Sequence, residues 1–172
     1  MRVYLLLGGL FSIDGYVTSP GMLQLRGMVQ ENIPGTTFNA YLWGDFLKCH
    51  RDLMEHQNDK LAVIGYSGGG HKATWIANGY YGDVRNYLGK PRIDLMVLYD
   101  PSPTWSMMQI GNNVKRAICY ENLTPWMLGL GGGVLKGPNV TTIPIRMQHL
   151  AVQASGTLHR QTLSRIKELG AQ

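Results

Sequence analysis

A short apolar run that leads straight into a glycine-rich turn limits the folds open to this chain. Residues 61–64 (Leu-Ala-Val-Ile) are typical of a buried strand, residues 65–69 (Gly-Tyr-Ser-Gly-Gly) form a G-x-S-x-G pattern, and a helical apolar pattern begins at Ala73. Strand, sharp turn and helix in this order predict a serine at a strained backbone angle, with its hydroxyl projecting outward. Side chains two positions before and after the serine would clash in such a turn, and glycine removes them.

By itself the pattern also fits an ordinary glycine-rich turn, since the chain contains 22 glycines. The rest of the chain gives it more weight, because strand-like apolar runs alternate with helical patterns throughout. This alternation predicts a parallel sheet with right-handed crossovers and helices on both faces. Five strands fit the order 2-1-3-4-5, in which ligands bind at the carboxyl ends of the strands. The predicted strands cover residues 3–7, 37–43, 61–66, 93–99 and 114–120, and a weaker extended segment reaches His149.

Length and composition indicate a single globular domain over residues 1–172. A hydrophobic content of 44% with 16% charged residues excludes a disordered chain. The net charge of +5 is scattered rather than gathered in basic runs, so we expect no nucleic-acid partner. Cys49 and Cys119 form no C-x-x-C pair, and His50 and His56 form no H-E-x-x-H pattern. We therefore expect neither a metal site nor a cofactor.

The amino terminus predicts a first strand rather than a secretory signal. The apolar run of residues 3–7 is broken by Gly8-Gly9, and no small-residue cleavage site follows. No apolar stretch of the sequence reaches the length of a membrane span. We therefore expect a cytoplasmic protein without a transmembrane segment, and the sequence leaves its oligomeric state open.

Three polar residues follow predicted strands or extended segments in the chain order Ser67, Asp100, His149. A serine hydroxyl becomes a useful nucleophile when a base takes its proton and an acid orients that base. Asp100 directly follows a buried strand, although an aspartate before a proline also fits an ordinary turn. His149 lies in the loop before the last predicted helix, which favours it as the base over His159 at the opening of that helix. We predict Ser67, Asp100 and His149 as the catalytic residues.

An oxyanion formed from the attacked carbonyl needs donors already aimed at it. The Gly68 amide, directly after the serine, is one candidate. The loop after the first strand contains Gly8-Gly9 and brings the Leu10 amide close as the second, with Phe11 as its neighbour. Apolar residues in the predicted loops suggest a wall for an acyl group, although they fit a cover for the core or a subunit contact equally well. The predicted substrate-binding residues are Phe11, Tyr66, Trp105 and Trp126.

These pieces resemble the small lipase- and esterase-like, cutinase-like members of the α/β-hydrolase superfamily. The similar segments are Leu6–Leu10 for the oxyanion loop, Gly65–Gly69 for the nucleophile elbow, Val97–Pro101 for the acid, and His149. The resemblance implies an α/β three-layer sandwich with a mostly parallel five- to six-stranded sheet, a minimal core without a cap domain. Gly8-Gly9 replaces the family's usual His-Gly, and the acid follows the strand next to the elbow strand rather than one strand later.

The resemblance further implies a serine hydrolase that cleaves a carboxylic ester through an acyl-serine intermediate. Its substrate would be a small-molecule or lipid-like acyl ester. Two alternatives stay open. The same triad serves a thioesterase, an amidase or a cell-wall acyl esterase, and a hydrolase fold can also be kept by a non-catalytic binding or scaffold protein.

Overall fold

The computed structural model describes residues 1–8, 19–79, 89–102, 108–124 and 132–172. The strands within these ranges are β1 Arg2–Leu7, β2 Thr37–Leu42, β3 Leu61–Tyr66, β4 Leu95–Tyr99, β5 Met108–Gln109, β6 Ala117–Asn122, β7 Leu135–Lys136 and β8 Val140–Ile145. The helices are α1 Pro20–Asn32, α2 Phe46–Glu55, α3 Gly68–Asn78, α4 His149–Val152 and α5 Gly156–Ala171, with a 3-10 turn at Trp43–Asp45.

The main sheet has the order β2-β1-β3-β4-β6-β8 over the part of the chain that the structure describes. Every neighbouring pair in it is parallel. The order confirms the predicted 2-1-3-4-5 arrangement and adds a sixth strand at its end. The helices on both faces of this sheet give the three-layer α/β architecture that the resemblance implied.

The sixth strand, β8, is the segment that the sequence indicated only weakly. It pairs with β6 along one side, and its residues are half-buried or exposed. An edge strand does not need the continuous apolar run of a central strand, and Pro144 is tolerated there because one side makes no ladder hydrogen bonds. The weak signal therefore has a physical cause in the position of the strand.

Alternate residues of each central strand face opposite layers of helices. In β1, Val3, Leu5 and Leu7 pack into a core cluster with residues of α1 and α5. The intervening Tyr4 and Leu6 pack into a second cluster with residues of α2 and α3. Because both faces are covered, the central strands are apolar over most of their length.

Two small features had no signal in the sequence pattern. A two-stranded parallel sheet joins β5 to β7, and α4 forms a single turn that three residues separate from β8. Elements of two to four residues are too short to show a period of their own, so tertiary contacts determine them. Among the described residues, no helix combines the length and the apolar character needed to cross a membrane.

Candidate functional site

The turn between β3 and α3 holds Ser67 at φ 53° and ψ −124°. A residue other than glycine at positive φ costs on the order of 1–3 kcal/mol, so its surroundings must impose the conformation. The Ser67 amide donates to the carbonyl of Tyr99 at 3.1 Å, and the Ser67 carbonyl accepts from the amides of Gly70 at 3.0 Å and Ser102 at 3.1 Å. These bonds fix the serine at the carboxyl edge of the sheet.

Two glycines allow α3 to begin directly against the sheet. A Cβ atom on Gly69 would lie 2.1 Å from the carbonyl oxygen of Leu6, and one on Gly65 would lie 2.6 Å from the Cα atom of Gly70. Both distances are far below van der Waals contact. The clash predicted for side chains at these two positions of the motif therefore has a definite origin in backbone atoms.

The structure brings Ser67, His149 and Asp100 into one hydrogen-bonded row. His149 Nε2 lies 2.9 Å from Ser67 Oγ, and His149 Nδ1 lies 2.7 Å from Asp100 Oδ2. Asp100 is 0% exposed, His149 3% and Ser67 8%. Such a row can move a proton from the serine hydroxyl to the imidazole while the carboxylate faces the charge that forms.

The Asp100 carboxylate is held by three donors. Asp100 follows β4 with a φ of 41°, and its Oδ1 accepts from the amide of Gly132 at 2.6 Å. Its Oδ2 accepts from Asn122 Nδ2 at 2.8 Å and faces His149 Nδ1. A carboxylate that is ionised accepts on both oxygens, so this set of donors suits the charged form. We accordingly assign the ring proton of neutral His149 to Nδ1.

His149 begins α4, where Tyr66 supports it. The Tyr66 ring is stacked on the imidazole with 5.1 Å between ring centroids, and its hydroxyl donates to the His149 carbonyl at 3.1 Å. Burial raises the pKa of Tyr66, so the hydroxyl keeps its proton at neutral pH. Tyr66 was predicted to contact substrate; the structure places it in a buried position against His149.

The alternative base, His159, lies in another part of the molecule's interior. It is buried in α5, and its Nε2 lies 2.8 Å from the carbonyl oxygen of Gln153. Its ring meets the Tyr99 ring edge-on at 6.1 Å. Burial lowers the pKa of His159, which favours its neutral form. Of the two histidines, His149 is the one in contact with Ser67.

The sequence pattern missed two polar residues of this site. Asn122 ends β6 and binds Asp100, while Ser102 places its Oγ 3.1 Å from Ser67 Oγ. Asn122 could have been found, because it lies two residues after a predicted strand, at the same edge as the other site residues. Ser102 carried no such signal, because its contact with Ser67 depends on the path of the backbone after Asp100.

The predicted oxyanion donors are described in part. Gly68 begins α3, and the first amides of a helix have no partner within it. Gly8 lies directly against the serine turn, where an added Cβ would be 2.7 Å from Ser67 Cβ. The loop predicted to supply the second donor therefore leaves β1 beside Ser67. Four of the predicted residues, Leu10, Phe11, Trp105 and Trp126, lie outside the described residues.

Three exposed apolar residues lie one or two positions after residues that contact Ser67 or Asp100. Leu123 comes after Asn122, Leu150 comes after His149, and Val134 comes two residues after Gly132. Their exposed fractions are 45%, 61% and 42%, respectively.

A separate group on α2 has the composition of a metal site. The ligand atoms of Asp52, Glu55 and His56 lie within 4.8 Å of one another. Asp52, however, already accepts from Tyr41 Oη at 2.6 Å and Asn39 Nδ2 at 2.9 Å, and it pairs with His56 Nδ1 at 2.8 Å. These bonds join α2 to β2, so the group has a structural explanation.

No protein-family model and no curated protein sequence matches the chain. Among solved structures, it is similar to the product of gene lin2722 from Listeria innocua, with a TM-score of 0.61 and 8% identity over 94% of this chain and 92% of the other. It is also similar to two structures of acetyl xylan esterase, both at 12% identity. Their TM-scores are 0.49 and 0.48, and they cover 97% and 98% of this chain and 96% and 97% of the other. At these identities the similarity to the Listeria protein establishes the fold alone.

Proposed function

We propose that this protein is a serine hydrolase that cleaves a carboxylic ester through an acyl-serine intermediate. The observation that carries the proposal is the contact of one imidazole with both partners, 2.9 Å to Ser67 Oγ and 2.7 Å to Asp100 Oδ2. Both distances lie within the reach that proton transfer requires. The strained turn at Ser67 supports it, because this geometry presents the hydroxyl at the carboxyl edge of the sheet.

In the proposed reaction, His149 Nε2 takes the Ser67 proton as Ser67 Oγ bonds to the ester carbonyl carbon. The imidazolium then gives that proton to the departing alcohol, and the acyl group stays on Ser67. A water molecule attacks the acyl carbon, with His149 again accepting a proton, and the acid is released as Ser67 recovers its own. Asp100 keeps its charge throughout and stabilises the imidazolium.

The tetrahedral intermediate places a negative charge on the former carbonyl oxygen. We assign one donor to the Gly68 amide, because it begins α3 and the positive end of a helix dipole favours an anion there. The second donor is expected from the Leu10 amide in the loop after β1.

The test is covalent labelling of Ser67 by a fluorophosphonate probe, together with hydrolysis of p-nitrophenyl acetate, butyrate and octanoate. We expect labelling and turnover in the wild-type protein and neither in Ser67→Ala. His159→Gln is the matched control, because it removes a buried histidine that does not contact Ser67. An unlabelled wild-type protein, or unchanged turnover in Ser67→Ala, would contradict the proposal and favour a non-catalytic binding or scaffold protein.

Thioesters and amides with the same acyl groups separate the remaining substrate classes. The mechanism needs a leaving group that accepts the proton from His149, and each of these classes supplies one. We expect the oxygen esters to react with the highest kcat/KM. A higher kcat/KM for a thioester or an amide would assign the same residues to that class instead.

A further inference from the structure

We propose that Ser102 is a further catalytic residue, whose hydroxyl donates a hydrogen bond to the attacking oxygen of Ser67. This inference rests on the proposed function. It holds that the Ser102 hydroxyl keeps Ser67 Oγ in position for attack and stabilises the negative charge that develops there.

Two hydrogen bonds join Ser102 to Ser67. The two Oγ atoms lie 3.1 Å apart, and the Ser102 amide donates to the Ser67 carbonyl at 3.1 Å. The segment that carries Ser102 is also packed tightly against α3, since a Cβ atom on Gly70 would lie 2.8 Å from Pro101 Cβ. The hydroxyl therefore projects from backbone whose position is tied to the serine turn itself.

A count of protons gives the direction of the bond between the two serines. The Asp100 carboxylate faces His149 Nδ1 at 2.7 Å, so Nδ1 carries the hydrogen and Nε2 is an acceptor. Nε2 lies 2.9 Å from Ser67 Oγ, so the single Ser67 hydrogen is donated to His149. Ser67 Oγ then has lone pairs but no hydrogen left for Ser102. Ser102 must be the donor of the 3.1 Å bond between the hydroxyls.

This arrangement has a consequence for the chemical step. As the Ser67 proton moves to Nε2, negative charge grows on Ser67 Oγ, and a hydrogen bond to a charged oxygen is stronger than one to a neutral hydroxyl. Ser102 keeps its own proton throughout, so the proton balance of the reaction is unchanged. The same bond assists the departure of Ser67 Oγ when the acyl-serine is hydrolysed. Both halves of the reaction should therefore slow when the Ser102 hydroxyl is removed.

The experiment compares Ser102→Ala and Ser102→Thr with the wild-type protein. We measure the second-order rate of fluorophosphonate labelling, and kcat and KM for a p-nitrophenyl ester. Loss of one hydrogen bond to an atom that gains charge should lower the labelling rate and kcat of Ser102→Ala by about 10- to 100-fold. KM should stay within about threefold, because the bond strengthens only as charge develops. Ser102→Thr retains a hydroxyl and should recover most of the lost rate.

Ser155→Ala is the control for destabilisation. The Ser155 side chain accepts from the Leu158 amide at the start of α5, so its loss should weaken folding without changing the labelling rate. If Ser102→Ala is labelled at the wild-type rate, or if Ser102→Thr is as slow as Ser102→Ala, the role assigned to Ser102 is wrong while the proposed function stands. Failure of the wild-type protein to react at all would instead remove the proposed function.

Discussion

Replacing Asn122 with alanine should damage both the stability of the protein and the reactivity of Ser67. Asn122 Nδ2 donates to Asp100 Oδ2 and to the Met147 carbonyl, each at 2.8 Å. Its Oδ1 accepts from the amides of Thr124 at 3.1 Å and Met147 at 3.4 Å. The buried side-chain amide of Asn122 thus joins the Asp100 carboxylate to the chain segment that leads into His149.

The size of the effect follows from these four bonds. Three neutral hydrogen bonds contribute about 1 kcal/mol net each, and one to a charged group about 1.5–3 kcal/mol, so a simple sum gives about 4.5–6 kcal/mol. Water can replace some of the lost partners, because Asn122 is 6% exposed rather than fully enclosed. We therefore expect the free energy of unfolding of Asn122→Ala to fall by about 2–4 kcal/mol.

Urea unfolding measures the stability, and the rate of fluorophosphonate labelling measures the site. Asn122→Ala should be labelled about 10- to 100-fold more slowly, because His149 loses the anchor of the segment before it. Asn113→Ala is the matched control: Asn113 Nδ2 donates to the carbonyls of Ala77 and Pro91, both at 2.8 Å. This control should lose about 1–2 kcal/mol while keeping the wild-type labelling rate. An Asn122→Ala protein that loses less than about 0.5 kcal/mol, or that labels at the wild-type rate, would refute the reasoning.

Two further predictions concern packing and pH. Gly69→Ala should lose more than about 3 kcal/mol of unfolding free energy or fail to fold, because its Cβ would lie 2.1 Å from the Leu6 carbonyl oxygen. Gly27→Ala, in α1 with nothing within 4 Å of the added Cβ, should instead gain about 0.5–1 kcal/mol in the same urea assay. Burial, and secondly the charge of Lys72, lower the pKa of His71 from 6.5 to about 4. The folded state therefore favours neutral His71, and wild-type stability should fall as the pH drops from 6.5 towards 4. Urea unfolding across this range should show a smaller fall for His71→Gln, and an equal fall in both proteins would rule His71 out as the cause.

Much of the architecture follows from local patterns in the sequence. The central strands β1, β3 and β4 are buried on both faces, so each contains an apolar run that the sequence displays directly. The alternation of these runs with helical patterns leads to the observed parallel order through general rules of connection. The edge strand β8 gave a weaker signal, because one of its sides needs no partner. The short β5, β7 and α4 gave none.

The turn at Ser67 was also predictable, for a reason that acts over a few residues. Gly65 and Gly69 are required by backbone atoms that approach within 2.6 and 2.1 Å of where their Cβ atoms would stand. A close approach of this kind admits only glycine, and it therefore leaves a direct trace in the amino-acid pattern.

Contacts across long separations left no comparable trace. The bonds of Ser67 to Ser102 and to His149 join residues 35 and 82 positions apart. His149 and His159 were both compatible with the sequence, and only the course of the chain through β8 and α4 places His149 at the serine. Hydrogen bonds of this kind form only when two side chains from distant parts of the chain are placed correctly to within a few tenths of an ångström. Local patterns of apolar residues and glycines therefore determine the sheet and the strained turn. Which side chains meet at that turn is decided by the packing of the whole domain.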